Sequence, residues 1–128
     1  MKEELLNYGI QSIWNDNNEY ESLDDKGSLC NREGFGGIID ELKPIQSLMM
    51  NHIAIEASEE VYPELRPYLI TRSGFAGLQR YASTWSGDNY TSWKTLKPNI
   101  STVLNMGLSG VANYGCDIGG FWGPSPSA

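Results

Sequence analysis

The chain has 128 residues, 40% of them hydrophobic, with 14 glycines and a formal net charge of −7, a size and composition that fit one globular domain rather than a disordered tail. The acidic balance argues against nucleic acid, whose phosphates call for a surplus of Lys and Arg. No apolar run approaches the ~20 residues of a membrane-spanning helix, so no membrane partner is expected.

In chain order, "MKEELLNYG" has no apolar signal core and reads as mature sequence. Leu5 and Leu6 followed by Gly9 read as the end of a helix. "IQSIW" then predicts a short strand with Asp16 at its C-terminal end, and residues 17–40 are polar and glycine-rich, a long loop. A helix is expected over "LKPIQSLMMNHIAIEASEEVY", with Pro44 in its first turn and Ile45, Leu48, Met49, His52 and Ile53 on one apolar face. "RPYLITRS" is a compact strand ending in Arg72, and "GFAGLQRYASTWSGDN" is mostly loop with a short strand near Ala82–Trp85. "TSWKTLKPNISTVLNMG" is helical again, with a stripe of Trp93, Leu96, Ile100, Val103 and Leu104. Pro98 should kink or split it, and Gly107 should end it. "GVANYGCDIGGF" is a last strand running into a glycine-rich loop.

Strands alternating with helices imply an α/β fold with a parallel sheet. Each strand runs out into a charged residue: Asp16, Arg72, Asp88 after the short strand, and Asp117. In parallel α/β folds the C-terminal strand ends share one face, which carries the chemistry, so these four residues are expected to converge.

Asp16 and Asp88 lie 72 positions apart and can meet only across a sheet. A pair of carboxyl groups, one ionised and one protonated, is the machinery of glycoside hydrolysis. Trp14 precedes Asp16, Trp85 precedes Asp88, and Phe121 and Trp122 follow Asp117. Such rings offer stacking faces for a sugar, although Trp14 and Trp85 as core residues beside solvated acids is the alternative. A calcium loop starting at Asp16 fails, because Tyr20 and Glu21 fall where an oxygen ligand and a glycine are needed. One starting at Asp24 fails on Lys26, which leaves Glu21, Asp24 and Asp25 as solvated loop residues. The two cysteines, Cys30 and Cys116, lack CxxC spacing, and His52 is the one histidine. A zinc site is therefore not expected; the thiols read as reduced and intracellular, favouring a cytoplasmic location. His52, on a helix face, reads as a packing residue. "GFGG" and "DIGGF" lack the GK[ST] of a phosphate loop, so no cofactor is expected either.

Three stretches carry a resemblance. "IWNDNNE" (13–19) resembles the nucleophile motif of glycoside hydrolase family 31, usually written WxDMNE. "LITRSGFAGLQRYASTWSGDN" (69–89) resembles the second signature of that family and "GLSGVANYGCDIGGF" (107–121) its third. The resemblance covers nearly the whole chain in the family's order. It implies a (β/α)8 TIM barrel, of which this chain supplies about half, strands four to seven as the family counts them, since a full barrel needs about 250 residues. Residues 1–128 would be the central part of the catalytic barrel, with the remaining strands and a β-rich N-terminal domain lying outside them. The resemblance further implies Asp16 as nucleophile and Asp88 as general acid/base. Arg72 would bind sugar hydroxyls near the nucleophile. Trp14 and Trp85 would line the sugar pocket, and Asp117 and Phe121 would complete its wall. The family is retaining, so the two carboxyl groups should stand ~5–5.5 Å apart. Asn17 stands where the family usually has Met, and Tyr20 where it often has Pro. An Asp before this segment and a His after it also serve the family's site, and His52 does not match the latter.

The expected activity is that of a retaining α-glycoside hydrolase, an α-glucosidase acting on α-linked gluco-oligosaccharides. The alternatives are an α-glucosyltransferase of the same family and an inactive sugar-binding or structural fragment. The expected partners are the oligosaccharide and the rest of the barrel, because a half barrel leaves strand edges and apolar faces uncovered. The isolated chain is expected to be inactive.

Overall fold

The computed structural model describes residues 1–20, 26–27, 29–32 and 35–125. The acids Glu21, Asp24 and Asp25 lie outside the described residues. The chain divides into two compact units, Met1–Ala82 and Ser83–Ala128.

The first unit opens with turns that run into a single 3-10 turn, Leu6–Tyr8, closed by the Gly9 N–H on the Leu6 carbonyl at 2.9 Å. The expected helix end is thus one short turn, anchored by the fully buried Leu6. Strand β1 follows at Ser12–Asn15. The stretch read from sequence as loop contains an antiparallel hairpin, β2 (Leu29–Arg32) and β3 (Phe35–Ile38), with Leu29 opposite Ile38 and Arg32 opposite Phe35. Neither segment alternates clearly enough to be read as a strand alone; the cross-strand pairing supplies what local pattern lacks.

Helix α1 runs from Ile39 to Val61, with Asp40 and Glu41 in its first turn, where negative charge complements the helix dipole. It begins before the expected start, so Pro44 lies inside it. Its buried face is also not the expected one. Ser47, Asn51, Ala54, Ala57 and Ser58 are buried, whereas Met49 is 40% and Ile53 51% exposed. The sequence rule looks for apolar residues at helical spacing, but here small and polar residues hold that spacing and let the helix backbone come close to its neighbours. His52 packs beside Tyr81, ring centroids 4.9 Å apart, with Nε2 3.3 Å from Glu56.

Strand β4, Tyr68–Thr71, pairs in parallel with β1, from Ser12 opposite Tyr68 to Asn15 opposite Thr71. The unit is thus a β-α-β arrangement with an inserted hairpin. Its helix is tied to the strands by buried hydrogen bonds. Asn15 Nδ2 donates to Asn51 Oδ1 at 2.8 Å, and Asn51 Nδ2 donates to the Ser73 carbonyl at 3.1 Å. Ser47 Oγ donates to the Asn18 carbonyl at 2.5 Å. Asn18 Nδ2 donates to Thr71 Oγ1 at 2.9 Å, and Asn18 Oδ1 accepts from the Ser73 N–H at 3.0 Å. Among the described residues no buried side-chain nitrogen or oxygen lacks a partner, as a buried polar network requires.

The second unit repeats the β-α-β theme. Strand β5, Ser83–Trp85, falls where the short strand was expected. Helix α2 runs from Trp93 to Leu108, and the Ser92 side chain caps it by accepting the Thr95 N–H at 3.1 Å. Pro98 does not split it: the helix is continuous across the proline. It passes Gly107 and ends where Gly110 takes φ 84 and the Val111 N–H returns to the Met106 carbonyl at 2.9 Å. No residue of α2 is buried, and the expected stripe is exposed, from 39% at Val103 to 65% at Leu104. Strand β6, Tyr114–Gly115, pairs in parallel with β5, Thr84 opposite Tyr114 and Trp85 opposite Gly115. Among the described residues no helix is long and apolar enough to cross a membrane.

Removing the Asn51 side chain leaves the Asn15 amide without its acceptor and frees α1 from the Ser73 carbonyl. Asn51→Ala is expected to destabilise the fold by about 2–3 kcal/mol, read as a lower denaturant midpoint. Met49→Ala, on the exposed face, should change it by less than about 0.5 kcal/mol.

Candidate active site

The pairing of β1 with β4 sets the first half of the site. Asn15 is opposite Thr71, so the next residues, Asp16 and Arg72, emerge side by side at the strands' C-terminal ends. The Arg72 N–H extends the ladder by one bond, to the Asn15 carbonyl at 3.0 Å. Beyond β1 the backbone enters the left-handed region at Asn17 (φ 53) and again at Tyr20 (φ 56). Asparagine tolerates that conformation and a bulky aromatic does so less readily. The resulting curl gathers the side chains of Asp16, Asn17 and Glu19 around one guanidinium.

Arg72 Nε donates to Glu19 Oε1 at 2.6 Å and Nη2 to Glu19 Oε2 at 3.0 Å, a two-pronged pair. Nη2 also donates to Asn17 Oδ1 at 2.5 Å. Nη1 lies 3.1 Å from Asp16 Oδ1. Asp16 Oδ1 accepts the Asn17 N–H at 2.9 Å as well, while Oδ2 accepts Asn17 Nδ2 at 3.3 Å. The Arg72 side chain is 18% exposed, those of Asp16 and Glu19 32% and 31%, so water screens the cluster only in part. The hydrogen bond from Arg72 holds the Glu19 carboxyl below its ordinary value of 4.5, against the opposing effect of its burial.

In the second unit, Trp85 ends β5 and Asp88 follows it in a tight turn. The turn is held from inside by Asn89, whose Nδ2 donates to the Ser86 carbonyl at 3.2 Å, the Gly87 carbonyl at 3.1 Å and the Ser86 hydroxyl. It is also stitched to the glycine-rich loop after β6. Trp122 Nε1 donates to the Asp88 carbonyl at 3.1 Å, and the Phe121 N–H donates to the Asn89 carbonyl at 2.8 Å. The Thr91 N–H donates to the Trp122 carbonyl at 2.8 Å, and the Tyr90 and Trp122 rings meet edge to face at 4.8 Å. Gly120 is indispensable to this stitching: its φ is 93, and an added Cβ would lie 2.6 Å from Thr91 Cα. Asp88, Asp117 and Phe121 are thus carried on two loops bonded to each other. Burial pushes the Tyr114 hydroxyl above its ordinary value, against the hydrogen bond with Ser86.

Within the first unit the structure brings Asp16 and Arg72 together, with Trp14 on β1 and 66% exposed. Within the second it links the loops of Asp88, Asp117 and Phe121, with Phe121 61% exposed. Sequence reasoning singled out Asp16 and Arg72 but missed the supports beneath them: Asn15, Asn18, Asn51, Thr71 and Ser73. It left Glu19, the main partner of Arg72, without a role. The available signals were three asparagines within four residues of a strand end and an asparagine at the middle of a helix, all placed where local preference would not put them.

A β-α-β framework that carries its charged groups where the strands end defines part of an α/β-barrel domain. The sequence model for "Glycosyl hydrolases family 31 TIM-barrel domain" matches residues 1–128. The chain is 36% identical over 118 residues to Alpha-glucosidase 2 of Bacillus thermoamyloliquefaciens, covering 88% of this chain and 15% of that protein. Among solved structures it resembles a family 31 dextranase of Flavobacterium johnsoniae complexed with glucose, at a TM-score of 0.78 and 27% identity, over 90% of this chain and 15% of that one. It also resembles a family 31 α-glucosidase of Bacteroides thetaiotaomicron, at a TM-score of 0.72 and 34% identity, over 91% of this chain and 19% of that one. The chain therefore belongs to glycoside hydrolase family 31, as part of its TIM-barrel domain, and it spans less than a fifth of the length of each of these relatives.

The lowered Glu19 carboxyl makes the first unit sensitive to acid. Because its folded value lies below the unfolded 4.5, the stability it contributes is complete above that value and is lost as pH falls through the folded value. Glu19→Gln is expected to lower stability at pH 7 and to flatten its acid dependence below about pH 4.5, as checked by melting curves from pH 3 to 7.

Proposed function

We propose that this chain forms part of the catalytic barrel of a retaining α-glycoside hydrolase of the α-glucosidase type, acting on α-linked gluco-oligosaccharides. The observation that carries this reading is the carboxylate of Asp16 at the C-terminal end of β1, anchored on one oxygen by Arg72 Nη1 at 3.1 Å and the Asn17 N–H at 2.9 Å. A carboxylate held by one oxygen is oriented without being fully tied up, as a nucleophile requires. The names of the similar proteins, α-glucosidases among them, support the reading.

In the proposed double displacement, Asp16 attacks the anomeric carbon while the bond from that carbon to the glycosidic oxygen breaks. Asp88 gives its proton to the departing oxygen. Asp88 then takes a proton from water as the water oxygen attacks the anomeric carbon, and the ester to Asp16 breaks. Two inversions leave the anomeric configuration unchanged. Trp14, Trp85 and Phe121 would offer stacking faces to the sugar, and Asp117 and Arg72 would serve its hydroxyls. The rest of the barrel would complete the pocket.

The complete polypeptide carrying this segment is expected to release glucose from an aryl α-glucoside with the α configuration retained, seen by NMR of the first product. Asp16→Asn should lower kcat by at least ~1,000-fold. A β-configured first product, or near-normal turnover by Asp16→Asn, would overturn the assignment.

A further inference from the structure

The two oxygens of Asp16 are held unequally. Oδ1 takes two bonds, from the Asn17 N–H at 2.9 Å and from Arg72 Nη1 at 3.1 Å. Oδ2 takes one long bond, from the Asn17 side-chain nitrogen at 3.3 Å. The other end of that same amide, Asn17 Oδ1, accepts Arg72 Nη2 at 2.5 Å. One planar amide thus touches the guanidinium with its acceptor and the carboxylate with its donor. Arg72 is meanwhile locked by the two prongs on Glu19, so the amide is oriented by a fixed charge. The carboxylate is in turn rotated by the amide.

We propose that Asn17 is a positioning residue that sets the rotation of the Asp16 carboxylate, making Oδ2 the oxygen that attacks the anomeric carbon while Oδ1 stays anchored. This rests on the reading of Asp16 as the nucleophile. Oδ2 is the oxygen with the weaker hold: a bond at 3.3 Å sits at the long edge of the useful range and gives way cheaply as the oxygen's charge passes into the new bond to carbon. A donor that only steers, beside an anchor that only holds, fixes a near-attack geometry without quenching the nucleophile. The left-handed backbone at Asn17 (φ 53) makes glycine the clean deletion, since glycine adopts that conformation without strain.

The test follows ester formation on Asp16 in the complete polypeptide. The probe is a fluorinated α-glucosyl fluoride that forms the ester readily and releases it slowly. The bond from Oδ2 to the anomeric carbon forms, the carbon–fluorine bond breaks, and fluoride leaves. Mass spectrometry gives the labelled site, the rate constant and the amplitude. Asn17→Gly should reach the same amplitude as the unaltered protein with a rate constant about 10- to 100-fold lower. Asn17→Asp keeps an acceptor for Arg72 but faces Oδ2 with a like charge, and should be slower than Asn17→Gly. A merely structural role would cut the amplitude and leave the rate constant alone; that result, or an unchanged rate in Asn17→Gly, overturns the proposal. If the unaltered protein takes no label at Asp16, the nucleophile reading itself fails, and with it the attack by Oδ2. The positioning is then read from the 15N signals of the Arg72 guanidinium. Distinct Nη signals that merge in Asn17→Gly uphold the amide clamp, and signals unchanged by the substitution overturn it.

Discussion

The side chain of Asn51 is the constraint on which the first unit depends. It stands at the middle of a 23-residue helix, fully buried, where most helices place a leucine. With its two ends it reaches the last residue of β1 and the turn beyond β4. An apolar residue there would bury as well, but would leave the helix free to slide along the strands. A buried amide has no such freedom, because shifting it loses bonds that no water replaces. The helix is thereby registered against the strand ends from which the charged groups emerge.

From that registration the electrostatics follow. Two carboxylates share one guanidinium, but not on equal terms. Glu19 takes the fork of Nε and Nη2, and Asp16 receives a single nitrogen. A one-to-one pair of Arg72 with Asp16 would invite the fork onto Asp16 and engage both of its oxygens. The second acid prevents this and leaves the cluster with a surplus negative charge. In the second unit the equivalent task is done by the backbone: loop carbonyls and N–H groups around Asn89, Phe121 and Trp122 fix the turn of Asp88 without a charged partner of comparable closeness being needed to shape it.

Much of this was legible in the sequence. The strands ending at Asp16 and Arg72, the short strand at Trp85 and the cap of α2 lie where turn residues, β-branched runs and helical spacing put them. The α/β class followed from the alternation of these elements. What was not legible depended on partners distant in the chain. The hairpin of β2 and β3 exists through its pairing. The buried side of α1 is marked by Ser47, Asn51 and Ala54, which no hydrophobic pattern selects, so Met49 and Ile53 drew attention to the opposite, exposed face. Pro98 was read as a break because the local rule counts a lost bond and a steric clash, yet the helix continues through it. At the site, the carboxylate and the arginine could be named from their places at strand ends. The division of Arg72 among three side chains could not, since it is set by two left-handed residues whose conformation the sequence does not spell out.

Those two residues, Asn17 and Tyr20, with φ of 53 and 56, bear on anyone wishing to move this chemistry to another scaffold. The curl they impose makes residues 15–20 a compact knot rather than an extended motif, and its geometry is meaningful only with Arg72 seated inside it and Asn18 bonded beneath it to Thr71 and Ser73. The portable object is therefore a cassette of two strand ends taken together. A graft that copied the six-residue string alone would carry the letters across without the shape that gives them their chemistry.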